Sequence, residues 1–317
     1  MKIVILERDT IGRDVSVDGL SEWGDVTAYP VSTVQNAGER VRDAEIIIAN
    51  KCPLNEETLK DAHQVRLICE FATGYDNIDI EYCHNRGIKV ANVRNYSTEA
   101  VTQHTFALCF YILEKLHYYD DYVKSGDYGA QSGFSHFGET FTELAGKTWG
   151  IIGMGNIGRR VAQVAEAFGC QVIFYSPTGQ SSCTEYERTD LANLLERSDV
   201  VSIHCPLSEL TRGLIDLATL RTMKKSAILI NVARGPIVKD EDLCIALTEG
   251  MIAGAGLDVT GTEPMTGANP LSRFTDSRRL IITPHMAWAS TEARNRVVAE
   301  TCENIAAFLR GEDRNIV

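Results

Sequence analysis

Arg234, Glu263 and His285 are the side chains best equipped for acid–base chemistry on a small anion, and each stands a few residues beyond an apolar run. The segments are Asn231-Val232-Ala233-Arg234-Gly235, Asp258-Val259-Thr260-Gly261-Thr262-Glu263-Pro264 and Thr283-Pro284-His285-Met286-Ala287-Trp288. A guanidinium fork can hold a carboxylate bidentately. An imidazole moves a proton near neutral pH, and a neighbouring carboxylate orients it and favours its charged form. A fourth segment, Gly153-Met154-Gly155-Asn156-Ile157-Gly158, has glycines spaced for a tight turn and close backbone approach to a pyrophosphate at a helix N-terminus. Together with a nicotinamide, these are the parts needed to interconvert a 2-hydroxy acid and a 2-oxo acid.

The glycine spacing alone is weak evidence, since 25 glycines in 317 residues produce chance matches. Its context decides. Trp149-Gly150-Ile151-Ile152 before it reads as a buried strand, residues 159–168 after it read as an amphipathic helix closed by Gly169, and Gln171–Tyr175 reads as the next strand. That is a βαβ unit, and it predicts dinucleotide binding. Apolar strands are expected at 148–153, 171–176, 199–205, 227–232, 254–259 and 280–283, six strands of a doubly wound parallel sheet. Ligands of such sheets bind beyond the carboxyl ends of the strands, which is where Arg234, Asp258, Glu263 and His285 fall.

Residues 1–95 hold four further apolar runs, Ile3–Leu6, Ile46–Ala49, Leu67–Cys69 and Lys89–Val93, with helical stretches between them. The fold expected is therefore α/β with two Rossmann-like domains. Residues 1–96 with 290–317 form a smaller, flavodoxin-like substrate domain, and residues 97–289 form the dinucleotide-binding domain. A single long helix over 97–124, with Val101, Thr105, Leu108, Ile112 and Leu116 as its apolar stripe, is expected at the junction, and a last helix over about 291–310.

Composition excludes several classes. No run of about 18 apolar residues is present, so no membrane span is expected. Met1–Glu7 is charged too soon for a signal peptide. Nine cysteines without a C-x-x-C pair suggest reduced thiols in a cytoplasm, with neither disulfides nor a metal site. A formal charge of −12 argues against nucleic acid as a partner.

The motifs NVARGPIV (231–238), GAGLDVTGTEP (254–264), ITPHMAWAS (282–290), GMGNIG (153–158), ATGYDNID (72–79) and STEAVTQHTFAL (97–108) resemble those of the D-isomer-specific 2-hydroxyacid dehydrogenases, in order and spacing along the whole chain. PHMAWA is most similar to the glycerate dehydrogenase and hydroxypyruvate reductase branch. The resemblance implies that Arg234 binds the substrate carboxylate and carbonyl and that His285 exchanges a proton with the carbonyl oxygen, with Glu263 hydrogen-bonded to it. It implies that Asp258 meets the nicotinamide amide and that backbone groups of Thr73, Gly74 and Tyr75 hold the substrate carboxylate. The cofactor would lie against Gly153, Gly155, Asn156, Ile157 and Gly158, then Cys205 and Pro206 with Thr211 nearby, then Val232 and Ala233. A homodimer is implied as well.

Two departures from that pattern matter. Ser176 stands where an acidic residue usually binds the ribose 2′-hydroxyl and repels a 2′-phosphate, yet no Arg or Lys lies within 171–187 to grip a phosphate. NAD is the expected cofactor, with NADP open. Arg94 and Asn95 replace a proline and a small residue; Arg94 either adds a cation or faces water. Other readings of the residues stay open: Arg234 as a helix-end surface residue, His285 as a core histidine, His204 as part of the cofactor wall, and Cys205 as a lining residue without a base to activate it. Competing functions are a relative acting on formate or phosphite, and a non-enzymatic, dinucleotide-gated co-repressor. The co-repressor reading would call for extra partner-binding segments, and the sequence ending at Val317 without a tail weighs against it.

Overall fold

The computed structural model describes residues 1–317, which form two compact units: Met1–Ser97 with Trp288–Val317, and Thr98–Ala287. The smaller unit holds strands β1 (Lys2–Ile5), β2 (Asp25–Ala28), β3 (Ile46–Ala49), β4 (Leu67–Glu70) and β5 (Lys89–Ala91). All are parallel, in the order β2-β1-β3-β4-β5, which is the flavodoxin-like order. β3 and β4 are buried throughout, so they read as continuous apolar runs. The sequence reading missed β2 because this edge strand, DVTA, has no fully buried residue and carries little apolar signal.

The larger unit holds β6 (Thr148–Ile152), β7 (Gln171–Tyr175), β8 (Glu187–Arg188), β9 (Val200–Ile203), β10 (Ile228–Asn231), β11 (Gly254–Leu257) and β12 (Leu280–Ile282). Their order is β12-β11-β10-β9-β6-β7-β8, all parallel. From β8 inward this is the doubly wound order, with its topological switch point between β6 and β9. The expected six strands are seven, because the two-residue β8 is too short to leave a pattern. Alternating side chains serve opposite faces: Ile152, Ile203 and Leu229 pack in one core, and Trp149, Ile151, Phe174, Ile228 and Ile230 in the other. The buried Trp149 indole N–H donates to Ser202 Oγ at 2.8 Å.

The single helix expected over 97–124 is two, Thr98–Leu113 and Leu116–Lys124, broken at Lys115 in the left-handed region (φ 55°). Val101, Thr105, Leu108 and Ile112 are buried as their spacing predicts, but Leu116 is 46 % exposed and the second helix buries no residue. The burial that would extend the first helix stops at Ile112. The last helix runs Thr291–Leu309, with Gly311 at φ 79° beyond it. No helix is long and apolar enough to cross a membrane.

Candidate active site

The turn after β6 is built by close approach. Gly153 has φ 97°, and a side chain there would stand 2.6 Å from the Cys205 backbone nitrogen. A side chain at Gly158 would meet the Gly153 carbonyl at 2.2 Å. These contacts draw the helix Asn156–Ala167 against the switch point, where the His204 N–H donates to the Ile152 carbonyl at 2.7 Å. Gly155 differs: it precedes the helix, and no atom lies within 4 Å of the place its Cβ would occupy. The open position at a helix N-terminus is the cradle a pyrophosphate needs, so the residues present fit a dinucleotide. Asn156 and Ile157 form the first turn of that helix.

Cys205 follows at the end of β9. It is buried, and burial pushes its thiol up to about 12, which disfavours the thiolate a nucleophile would need. Thr211 is buried and donates its hydroxyl to the Pro206 carbonyl at 2.8 Å, fixing the 206–211 loop. The ring nitrogens of His204 are buried without a hydrogen-bond partner, and burial lowers its pKa to about 3. It is therefore neutral near pH 7.

Arg234 stands on a turn tied down from within. Asn231 Oδ1 accepts from the Ala233 N–H at 3.1 Å, and Asn231 Nδ2 donates to the Arg234 carbonyl at 3.0 Å. Gly235 then passes so close to the next loop that a Cβ would sit 1.7 Å from the Thr260 carbonyl oxygen. This crossing sets the β10 and β11 loops side by side, with Val232, Ala233 and Arg234 partly exposed at the sheet edge.

Glu263 and His285 meet: Glu263 Oε2 lies 2.6 Å from His285 Nδ1. Both are held from behind. Glu263 Oε1 accepts from the Thr260 N–H at 3.2 Å, and the buried Asp240 accepts from Gly261 N at 2.9 Å and Asn269 Nδ2 at 2.6 Å. His285 sits in the left-handed region (φ 54°), a strained place for a residue with a Cβ.

Asp258 is what holds it there. Its carboxylate is 1 % exposed and turned inward. Oδ1 accepts from Thr283 Oγ1 at 2.6 Å and Met286 N at 2.8 Å, and Oδ2 accepts from Ala287 N at 2.7 Å. The Asp258 carbonyl accepts from the His285 N–H at 2.8 Å. His104 Nε2 lies 2.9 Å from Thr283 Oγ1. Since that hydroxyl donates to Asp258, His104 carries its proton on Nε2. Burial lowers the His104 pKa against the opposing pull of Asp258. Asn231, Asp240, His104 and Thr283 are the residues that sequence reasoning missed. Asp240, His104 and Thr283 brace loops across distant elements, and Asn231 ties the turn that carries Arg234, through contacts no local spacing reveals.

At the end of β7, Ser176 is buried and donates its hydroxyl to the Gln180 carbonyl at 2.7 Å. In the smaller unit, the turn after β4 is anchored by Thr73 Oγ1 donating to the Val93 carbonyl and Asn92 Nδ2 donating to the Thr73 carbonyl, each at 2.7 Å. The backbone N–H groups of Thr73, Gly74 and Tyr75 donate to nothing within the chain. Arg94 reaches the Ile316 carbonyl at 3.4 Å on an exposed surface.

Residues 106–287 match the D-isomer specific 2-hydroxyacid dehydrogenase, NAD binding domain. The chain belongs to this family. It is 34 % identical to a hydroxypyruvate reductase of Blautia hydrogenotrophica over 100 % of this chain and 99 % of that one. It is 36 % identical to a glycerate dehydrogenase of Methylorubrum extorquens over 100 % and 98 %. The crystal structure of a D-lactate dehydrogenase from Aquifex aeolicus, complexed with NAD and lactic acid, superposes with a TM-score of 0.86 at 29 % identity, covering 98 % of this chain and 96 % of that one. The chain is thus an NAD(P)-dependent D-2-hydroxyacid dehydrogenase, of the branch its PHMAWA segment suggested.

Proposed function

We propose that the enzyme reduces a small 2-oxo acid of the hydroxypyruvate or glyoxylate type to its D-2-hydroxy acid, with the His285–Glu263 pair as acid and base and Arg234 as carboxylate ligand. The observation that carries this reading is the 2.6 Å contact between Glu263 Oε2 and His285 Nδ1, on loops braced by Asp240 and Asp258. Glu263 Oε2 accepts a hydrogen bond from the His285 Nδ1–H, which leaves Nε2 to exchange a proton with the substrate. There the imidazolium donates to the carbonyl oxygen during reduction, and the neutral ring accepts the hydroxyl proton during oxidation. Arg234 presents a planar fork to the carboxylate and carbonyl; within the smaller unit, the backbone N–H groups of Thr73, Gly74 and Tyr75 are donors without a partner in the chain. The bound nicotinamide cofactor supplies or takes the hydride at C2. Gly153, Gly155, Asn156, Ile157 and Gly158 would hold its pyrophosphate, Ser176 would lie by its ribose, and Cys205, Pro206, Thr211, Val232 and Ala233 would line its path. Asp258 serves the nicotinamide end by fixing the 283–287 loop.

The larger unit is the dinucleotide-binding domain and the smaller one the substrate domain. Residues 116–143 expose Leu116, Val123, Phe134, Phe137 and Phe141, with Phe134 at 92 % and Phe137 at 89 %. Apolar groups so exposed favour burial against a second copy, as a two-fold homodimer; a monomer in light scattering at micromolar concentration would refute it. Nine free cysteines suit a reducing cytoplasm. The activity is tested by following NADH and NADPH oxidation with hydroxypyruvate, glyoxylate, pyruvate and 2-oxoglutarate. Turnover is expected with the first two, and its absence with both would overturn the substrate reading.

A further inference from the structure

A cavity of about 610 Å³ opens at the carboxyl end of β7, lined by Tyr175, Ser176, Gly179, Arg188 and Asp190 among others. The ribose 2′ position of a dinucleotide falls at this place in a doubly wound sheet. Arg188 reaches it from the neighbouring strand: β8 pairs Phe174 with Arg188, and the Thr189 N–H donates to the Phe174 carbonyl at 2.9 Å. A guanidinium nitrogen of Arg188 lies 3.7 Å from where a Gly179 side chain would begin. The two other arginines nearby are committed. Arg197 grips both oxygens of Glu187, and Arg159 binds Glu185 and Ser182. Arg188 forms no hydrogen bond or ion pair within the chain.

The acidic side of the cavity is equally telling. Ser176, in place of a carboxylate, uses its hydroxyl proton to close the 176–180 turn and leaves the space beside it uncharged. Asp190 is the only carboxylate in the lining, and its oxygens accept from Asn193 N at 2.9 Å and Asn193 Nδ2 at 2.6 Å at the head of the helix Leu191–Arg197. These donors hold it as a helix cap, and they lower its pKa below the usual carboxylate range.

We infer that this cavity is a subsite for the 2′-phosphate of NADP and that Arg188 is the residue that selects it. The inference rests on the dinucleotide reading of the same sheet edge. It runs against the preference for NAD drawn from the sequence, where no cation lies within 171–187. The cation is present one residue beyond that window, brought in by the β7–β8 ladder.

Two probes isolate the adenosine end, 2′,5′-ADP and 5′-AMP, each titrated calorimetrically into the purified full-length protein. The 2′-phosphate should tighten binding about 10- to 100-fold, the worth of a charge-assisted contact of this kind. Arg188→Ala should abolish that advantage and leave 5′-AMP binding unchanged, and Arg188→Lys should keep part of it. NADPH affinity should fall in parallel with NADH affinity spared. Arg188 is an exposed residue at the sheet edge, so a matching urea midpoint should show that the variant folds. Equal affinity of the wild type for the two probes, or equal weakening of both by Arg188→Ala, overturns the inference. Tighter binding of 5′-AMP would assign the subsite to a ribose hydroxyl on Asp190. Binding of neither probe would overturn the dinucleotide reading as well.

Discussion

Replacing Asp258 with asparagine should loosen the loop that carries His285, and the size of the effect follows from its hydrogen bonds. The native carboxylate takes three donors: Thr283 Oγ1 and Met286 N on Oδ1, and Ala287 N on Oδ2, at 2.6 to 2.8 Å. Asparagine has the same shape but only one acceptor oxygen. If that oxygen keeps the Oδ1 partners, the new NH2 faces the Ala287 N–H, and two buried donors oppose each other. One hydrogen bond to a charged acceptor is lost, worth about 1.5–3 kcal/mol, and one buried N–H is stranded. Removing a buried charge returns part of this, for a net loss of about 2–4 kcal/mol. His285 is already held at φ 54°, where a left-handed backbone costs on the order of 1–3 kcal/mol, so a weakened brace lets it relax away. Urea unfolding followed by tryptophan fluorescence reads the stability. Steady-state kinetics should show turnover reduced more than the Michaelis constant for the oxo acid rises, because the acid–base group is displaced while Arg234 stays anchored by Asn231. A variant with a wild-type urea midpoint and only a weaker NADH affinity would refute the brace and make Asp258 a nicotinamide ligand alone.

His285→Gln should lower turnover by about 10²–10⁴ with cofactor affinity little changed, and near-normal turnover at neutral pH would remove it from proton transfer. Arg234→Lys keeps the charge and loses the fork, so the apparent Michaelis constant should rise sharply; a kinetically silent substitution would show that the carboxylate binds elsewhere. Glu70, at the end of β4, is fully buried, and burial raises its pKa well above the usual value, with one oxygen unpartnered. The folded state holds this proton more tightly than the unfolded chain, so the stabilisation is complete below the unfolded pKa and is lost as pH rises through the folded one. Glu70→Gln should therefore unfold at higher urea than the wild type at pH 8, with the gap closing toward pH 4; parallel pH profiles would show that Glu70 is not carried as a neutral acid.

Residues that carry local signals were legible. The glycine turn, the strands β6, β7, β9, β10, β11 and β12, and the rim positions of Arg234, Glu263 and His285 all follow from short patterns, because a fully buried parallel strand is a continuous apolar run and the loop after it is where ligands bind. The edge strands β2 and β8 were not legible, since an edge needs little apolar burial and β8 is two residues long. The helix break at Lys115 was hidden because Leu116 continues the apolar spacing of the buried residues without being buried itself. The arginine beside Ser176 was hidden for a related reason. A window of sequence follows the chain, whereas Arg188 reaches Ser176 across a ladder.

Carboxylates show the same limit from the other side. Strand ends at the ligand rim leave backbone N–H groups with no partner in the sheet, and burying them without an acceptor costs free energy. This protein answers with acids that turn inward. Glu7 Oε2 takes the N–H groups of Asn50, Lys51 and Cys52 at 2.8 to 2.9 Å, Asp240 takes Gly261, and Asp258 takes Met286 and Ala287. Each stands near the carboxyl end of a parallel strand, so by position alone each reads as a ligand. What separates brace from ligand is whether the oxygen atoms are already saturated, and that depends on residues 21 to 45 positions away in the chain. By that measure Asp240 and Asp258 are committed to their loops, whereas Glu263 has one oxygen on the backbone and the other on His285, the pairing the proposed acid–base role calls for.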